Sequence, residues 1–210
     1  MKRAVVAAVV IVASGLAVAA QQPSRPMSPR ASAATQVGGE WVKGDRGERY
    51  QGGKWIEITY GAPIKRGRTN LFGSGADFGK PLLAGAPVWR AGADVTTRLK
   101  TEVPLQIGGK TVPAGEYSVF IDLKSESDWT FVLSGWPAQQ KYDPDNKTAL
   151  WGAYNYTPDK DVVRAPMTVT RIDMSIDQLA WVFADMTKNA GRIAIVWDNV
   201  LASVPFTVAP

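Results

Sequence analysis

Cysteine and histidine are both missing from the 210-residue chain, and these absences exclude much of enzyme chemistry. Without cysteine there is no disulfide, thiolate nucleophile or redox thiol. Without histidine there is no Ser-His-Asp or Cys-His site and no histidine-ligated zinc, copper or iron. Carboxylate chemistry, a Ser–Lys pair, hard-cation binding or binding without reaction remain open. We expect no cofactor and no metal, since the aspartates at 143–146 lack the glycine and distal glutamate of a calcium loop.

A strong surplus of charge is missing as well. The chain has 24 Lys and Arg against 19 Asp and Glu, a net charge of +5. Two of the basic residues lie within the first 20 positions, so the surplus beyond them is only about +3. Proteins that bind nucleic acid usually concentrate Lys and Arg on one face. This mild balance predicts an ordinary solvated surface and no nucleic-acid partner.

The N-terminus has the three parts of a cleavable export signal. Two basic residues precede an apolar run over 4–16, and the small residues Ala17-Val18-Ala19 end it. We expect cleavage near Ala20 or Gln21 and a bacterial protein that is exported to the periplasm or the medium. The alternative is an uncleaved anchor, because the uncharged stretch is barely long enough to cross a bilayer. The small-residue ending favours cleavage, which would leave no membrane span.

Residues 21–36 are rich in Pro, Ser, Ala and Gln, and this composition predicts a flexible linker. We interpret 37–210 as a single β domain, with a hairpin at its edge within 37–54. A domain of this size can be stable without disulfides because its core buries most of the unfolded surface. The 45% of hydrophobic residues, including eight tryptophans, can fill such a core.

Alternating apolar residues are typical of half-buried antiparallel strands, and they occur at 95–103 and 116–123. Gly108-Gly109 favours a tight hairpin turn. Further strands are expected at 55–60, 105–107, 110–113, 128–133, 162–172, 178–186, 192–197 and 200–208, with turns at 173–177, 188–191 and 198–199. Nine or ten short strands without an amphipathic helix predict an all-β antiparallel sandwich, jelly-roll-like or barrel-like. The long loops at 73–88 and 134–150 are where binding is expected.

Several blocks of the sequence resemble the DUF2911 family, a group of exported bacterial proteins without an assigned function. The block WRAGAD at 89–94 precedes PAGEY at 113–117, in the order that the family shows. The other matching segments are 60–63, 66–68, 71–73, Thr96-Thr97, 107–110, 118–120, 129–130, 151–152 and 161–164. The resemblance covers about 55–206. It implies an exported β fold and supplies no reaction.

Two positions depart from the family pattern. Ala62 stands where Arg is common, and Asp94 stands where Asn is common. Any role that the family gives to those side chains therefore does not carry over to this chain.

The best candidate site is the polar block at 89–94. An arginine fork pairs well with a carboxylate, either of a ligand or of the protein itself. In the second case Arg90 or Arg68 would pair with Asp94 or Asp161 and fix loops to the sandwich. The candidate ligand-binding residues are Arg66, Arg68, Trp89, Arg90, Asp94, Thr96, Trp151, Tyr154, Asp161 and Arg164.

Aromatic residues flank the second long loop, namely Trp136, Trp151, Tyr154 and Tyr156. Rings that are exposed and coplanar would favour stacking on sugars. Buried rings would favour packing, which is the usual role of aromatic residues.

The leading hypothesis is a non-enzymatic exported sandwich that binds a small anionic ligand, a carbohydrate or an envelope protein. One alternative is a cofactor-free enzyme that acts on extracytoplasmic carbohydrate through two carboxylates about 5–9.5 Å apart. A third is a purely structural envelope component. The candidate carboxylates for the enzyme are Asp94, Asp122, Asp143, Asp145, Asp159 and Asp161.

Overall fold

The computed structural model describes residues 26–210, and about half of these residues lie in β-strands. The only α-helix among them is the single turn α1 (Lys80–Leu83), and no helix there is long and apolar enough to cross a membrane. The predicted signal at 1–20 lies outside the described residues. The strands are β1 (Arg30–Val37), β2 (Glu40–Gly44), β3 (Gly47–Gln51), β4 (Lys54–Gly61), β5 (Thr97–Thr101), β6 (Leu105–Ile107), β7 (Lys110–Val112), β8 (Gly115–Leu123), β9 (Trp129–Ser134), β10 (Asp161–Pro166), β11 (Thr168–Ala184) and β12 (Ala190–Val208).

The strands form two main antiparallel sheets and a separate hairpin. The first sheet has the order β1-β4-β5-β8-β9-β10, and the second has the order β11-β12-β6-β7. Strands β2 and β3 pair only with each other, which confirms the hairpin expected within 37–54. The prediction of an all-β antiparallel sandwich is confirmed, and the described sheets do not close into a barrel.

The main core lies between the two large sheets. Val119 and Ile121 of β8 contribute to it, as the alternating pattern of that segment predicts. Leu105 of β6 and Ile195 of β12 contribute to it from the second sheet. Both sheets bury one face in this core. The burial of apolar side chains therefore stabilises the fold without a disulfide.

The six-stranded sheet is also covered on its outer face. Phe120 of β8 and Val132 of β9 point away from the main core and pack against Leu150 and Tyr156. These last two residues belong to the long connection between β9 and β10. The connection is therefore a packed layer, held in place by the sheet beneath it.

Two of the turns predicted from the sequence lie inside strands of the second sheet. Strands β11 and β12 form one long hairpin, and neither 173–177 nor 198–199 ends a strand. The strand pairing shifts between Arg171 and Ile176 and again before Ala180, and Asp198 has a φ of 52°. The turn-forming residues at these points produce bulges, since Asp tolerates positive φ within a strand. The turn expected near 188–191 does separate the two strands.

Two other predictions need correction. The expected linker at 21–36 overlaps β1, which pairs with β4 from Arg30–Gly61 to Val37–Lys54, and residues 21–25 lie outside the described part of the chain. The strand has only one larger buried apolar residue, Val37 at its end, and its other apolar core contacts come from Ala31 and Ala33, so its sequence shows little strand pattern. The expected strand at 162–172 is in fact two strands, β10 and β11, which belong to different sheets.

A close backbone contact joins the end of β4 to the 89–94 loop. The N–H of Ala93 donates to the carbonyl of Gly61 at 3.0 Å. A Cβ atom on Gly61 would lie only 2.1 Å from the carbonyl oxygen of Ala93, and one on Gly92 would lie 2.8 Å from that of Gly61. Glycine is therefore required at both positions by the approach of the two chains.

Replacement of Gly61 by alanine should destabilise the protein by at least about 2 kcal/mol, because the new methyl group would overlap a backbone oxygen. Gly135→Ala is the matched control, since its Cβ would meet the nearest atom, the oxygen of Lys160, at 3.5 Å. That control should change the free energy of unfolding by less than about 0.5 kcal/mol. Urea denaturation followed by tryptophan fluorescence measures both. Equal stability of the two variants would contradict the contact.

Candidate functional site

Four of the predicted site residues meet at one pocket, which we call the arginine pocket. It has a volume of about 510 Å³ and contains Arg66, Arg68, Arg90 and Asp94. Its remaining lining consists of Met27, Ser28, Pro63, Ile64 and Ala93. Met27 and Ser28 come from the stretch expected to be a linker, so sequence reasoning missed them. Their position follows from β1, which begins two residues later and brings them to the end of β4.

The 89–94 loop forms one wall of the arginine pocket, and groups from both sheets hold it. Thr97 Oγ1 and Trp181 Nε1 both donate to the carbonyl of Ala91, at 3.1 and 3.0 Å. Within the loop, Trp89 Nε1 donates to the carbonyl of Gly92. Ala91 and Asp94 have positive φ angles of 54° and 62°. Such angles cost energy outside glycine, and the surrounding hydrogen bonds impose them here.

The 63–68 segment forms the opposite wall and is attached to β11. The N–H of Leu179 donates to the carbonyl of Pro63. The N–H of Arg66 donates to Asp177 Oδ1 at 3.0 Å, and Arg66 also has a positive φ, of 49°. The pocket therefore lies at the junction of the two sheets, where both walls are fixed by backbone contacts.

The three guanidinium groups differ in how much they are already engaged. Arg68 donates to the carbonyls of Lys65 and Ile64, and its guanidinium lies 5.5 Å from the ring centre of Trp197. Arg66 donates to the carbonyl of Met27. Arg90 is half-buried, and its Nε has no hydrogen-bond partner among the described residues.

No ion pair neutralises these three arginines within the described part of the chain. The expected pairing of Arg90 or Arg68 with Asp94 is therefore not formed there. Asp94 is the only carboxylate that lines the pocket, which carries a net positive charge. Chemically, the arrangement suits an anion that accepts hydrogen bonds from arginine forks.

Trp89 and Thr96 do not line the pocket and support it from behind. Trp89 is buried in a cluster with Phe72, Trp129 and Trp197, and its ring stacks on that of Trp197 at 6.5 Å. Thr96 Oγ1 is buried and donates to the carbonyl of Gly152 at 2.6 Å. Thr96 thereby joins the arginine-pocket wall to the layer that covers the outer face of the sheet.

Trp151 and Tyr154 line a second pocket in that layer, which we call the aromatic pocket. Its volume is about 520 Å³. Tyr142 also lines it, and its ring meets that of Trp151 at 5.8 Å with an angle of 67° between the planes. The rings form an angular cleft, so the coplanar arrangement considered from the sequence is absent here. The remaining lining residues are Gln139, Asp143, Pro144, Asn146, Lys147, Ala149 and Asn155.

The other two aromatic residues singled out from the sequence lie elsewhere. Trp136 donates its indole N–H to the carbonyl of Thr157, and the ammonium of Lys160 lies 3.5 Å from its ring centre. Tyr156 is buried against Phe120. Both therefore serve to attach the covering layer to the sheet.

Asp161 and Arg164 form an ion-pair cluster that is separate from both pockets. Arg164 donates to Asp161 Oδ2 at 3.0 Å and also binds Asp122 on β8. Tyr156 donates to the same Asp161 oxygen at 2.6 Å. Burial, and after it the carboxylate of Asp161, raises the pKa of Tyr156, so its hydroxyl stays protonated as a donor. The cluster connects β10 to β8.

Two of the candidate carboxylates, Asp122 and Asp161, thus share one arginine. The arginine pocket and the aromatic pocket each contain a single aspartate. Among residues 26–210, no group of three acidic side chains is placed to hold a metal ion.

The attachment of the 63–68 wall predicts a pH dependence of stability. Asp198 Oδ1 accepts hydrogen bonds from Lys65 Nζ at 2.5 Å and from Ser175 Oγ at 2.7 Å. Burial acts to raise the pKa of Asp198, but the hydrogen bonds from Lys65 and Ser175, together with the nearby charges of Lys65 and Arg171, outweigh it and hold the pKa below its ordinary value. A lowered pKa means that the ionised group stabilises the fold at neutral pH and that this contribution is lost in acid.

Asp198→Asn should lower the free energy of unfolding by about 0.5–1 kcal/mol near pH 7, since the pair is partly exposed. Asparagine is a suitable replacement because it also tolerates the positive φ at this position. The difference from the unmodified protein should shrink as the pH falls below about 4. Urea denaturation at a series of pH values measures it. A difference that stayed constant down to about pH 3 would contradict the assignment.

Comparison with known proteins gives one match. The sequence model of a family described as a protein of unknown function (DUF2911) covers residues 45–206. No curated protein and no solved structure matches the chain. The matched range contains both walls of the arginine pocket except Met27 and Ser28, and all of the aromatic pocket. The chain therefore belongs to the DUF2911 family.

Proposed function

We propose that this protein is a non-enzymatic binding protein that works outside the cytoplasm and holds a small anionic ligand in the arginine pocket. One observation carries the proposal. Three arginines that form no ion pair within residues 26–210 line the same pocket, and its walls are fixed by hydrogen bonds from both sheets. A carboxylate, phosphate or sulfate group of the ligand is the partner that these guanidinium groups lack.

Arg90 is the central residue of the proposed contact. Arg66 and Arg68 already donate to backbone carbonyls, so each offers only part of its guanidinium to a ligand. Arg90 lines the pocket, forms no ion pair in the described chain, and has a buried Nε without a partner. An anion in the pocket would lie beside this guanidinium, and Arg66 and Arg68 would add positive potential around it.

Backbone strain around the pocket also supports binding. Arg66, Ala91 and Asp94 all have positive φ, and all three belong to the pocket walls. Strained non-glycine residues concentrate at sites where a fixed geometry is useful. A fixed pocket loses little conformational entropy when a ligand enters, which favours affinity.

The extracytoplasmic location is supported by the sequence of residues 1–20. Its basic start, apolar run and small-residue ending match a cleavable export signal. The absence of cysteine is compatible with an oxidising compartment, since no thiol can mispair there. The ligand would then be a solute or an envelope component that is met after export.

Phosphate or succinate should raise the melting temperature of the unmodified protein, because a ligand that binds the folded state stabilises it. Arg90→Gln should remove most of this shift. Arg98→Gln is the matched control, since Arg98 pairs with Glu116 outside the pocket, and it should keep the shift. If Arg90→Gln does not fold, Arg66→Gln on the exposed rim should reduce the shift instead. No shift with either anion, or an equal shift in the arginine variants and the control, would refute the site.

Export should be visible as removal of the N-terminal segment. In a bacterial host, the protein should be recovered from the periplasm or medium with its N-terminus at Ala20 or Gln21. Cell fractionation followed by N-terminal sequencing measures this directly. Recovery of the full-length chain from the cytoplasm alone would contradict export and would leave the anion site to be judged separately.

A further inference from the structure

We propose that the aromatic pocket is a second binding site, specific for an uncharged sugar of one or two rings. The pocket lies in the layer between β9 and β10 and shares no lining residue with the arginine pocket. Its volume of about 520 Å³ is within the usual range for small-ligand sites. The proposal is independent of anion binding and stands on three features: the rings, the exposed polar groups and the rigidity of the loop.

The rings offer apolar surface that the fold itself does not use. Tyr142 is 66% exposed and Tyr154 is 47% exposed, so most of the surface of these two rings is not used in packing. Trp151 is half-buried beside them. The 67° angle between Tyr142 and Trp151 makes a cleft in which one ring can cover the C–H face of a sugar and the other its edge. Burial of these apolar surfaces is favourable.

Exposed polar groups surround the rings. The hydroxyls of Tyr142 and Tyr154 and the side-chain amide of Asn155 belong to exposed residues that line the pocket. Together they offer donors and acceptors of both kinds, as a sugar hydroxyl requires. Asn155 has a φ of 63°, so the backbone is held in an unusual conformation at this point.

The charges at the pocket are already engaged, which favours an uncharged ligand. Lys147 Nζ donates to the carbonyl of Pro144, and Asp143 Oδ1 accepts from the N–H of Asp145. The pocket contains one residue of each sign. An ionic ligand would find no net charge to bind here, in contrast to the arginine pocket.

A buried glutamine holds the loop in shape. Gln139 Nε2 donates to the carbonyls of Asp143, Asn146 and Ala149, and its Oε1 accepts from the N–H of Asp143. Asn146 Oδ1 accepts from two further backbone N–H groups. A loop built in this way is ordered before a ligand arrives, so binding does not have to order it.

The experiment is a titration of the processed protein with cellobiose, maltose and N,N′-diacetylchitobiose, followed by saturation-transfer NMR and calorimetry. At least one of these sugars should bind. Tyr154→Ala and Trp151→Ala should each weaken binding by about tenfold or more, because each removes a stacking surface. Trp55→Ala is the matched control, since Trp55 is 49% exposed on β4 away from the pocket, and it should bind normally.

Arg90→Gln should also bind the sugar normally, so the two sites can fail separately. Tyr154→Ala removes an exposed ring and keeps the test valid if Trp151→Ala does not fold. Absence of binding by all three sugars would overturn the proposal. Binding that persists unchanged in both Trp151→Ala and Tyr154→Ala would overturn it as well, since the sugar would then lie elsewhere.

Discussion

The hydrogen bond from the N–H of Ala93 to the carbonyl of Gly61 holds together chain segments that are more than thirty residues apart. Two more backbone hydrogen bonds lie on the same short stretch. The N–H of Ala62 donates to the carbonyl of Pro29, and the carbonyl of Pro63 accepts a hydrogen bond from the N–H of Leu179 in the second sheet. The end of β4 is thus bonded to the start of β1, to the 89–94 loop and to β11. Only a glycine permits this approach, since a Cβ on Gly61 would overlap the oxygen of Ala93. The arginine pocket exists because these contacts converge.

Tryptophan gives this junction its rigidity. Indole N–H groups of Trp89, Trp181 and Trp197 donate to backbone carbonyls of the pocket walls or of the strand behind them. Each ring also buries a large apolar area in the core, so packing and hydrogen bonding act at the same place. The guanidinium of Arg68 lies over the ring of Trp197, so this arginine of the pocket packs directly on the tryptophan cluster. The chain has no cysteine, so these indoles join the segments of the junction without a disulfide.

Local sequence pattern predicted most strands and few of the contacts between them. Alternation identified β5 and β8 because alternate residues of each strand face the main core. It missed β1, whose inward residues are mostly small, and it mistook the bulge at Asp198 for a turn, because aspartate is common in both. For the site, the motif blocks placed Arg66, Arg90 and Asp94 among the candidates, but the contact that unites them is non-local. Tyr142 was overlooked since no pattern distinguishes an exposed ring from a buried one.

The absence of histidine has a further consequence for binding. The arginine pocket is lined by three guanidinium groups and one carboxylate. The aromatic pocket is lined by rings, hydroxyls and amides, with one aspartate and one lysine. No side chain in the whole sequence has an ordinary pKa near 6.5, where histidine acts as a switch. Neither pocket therefore contains the side chain that most often makes binding depend on pH near neutrality.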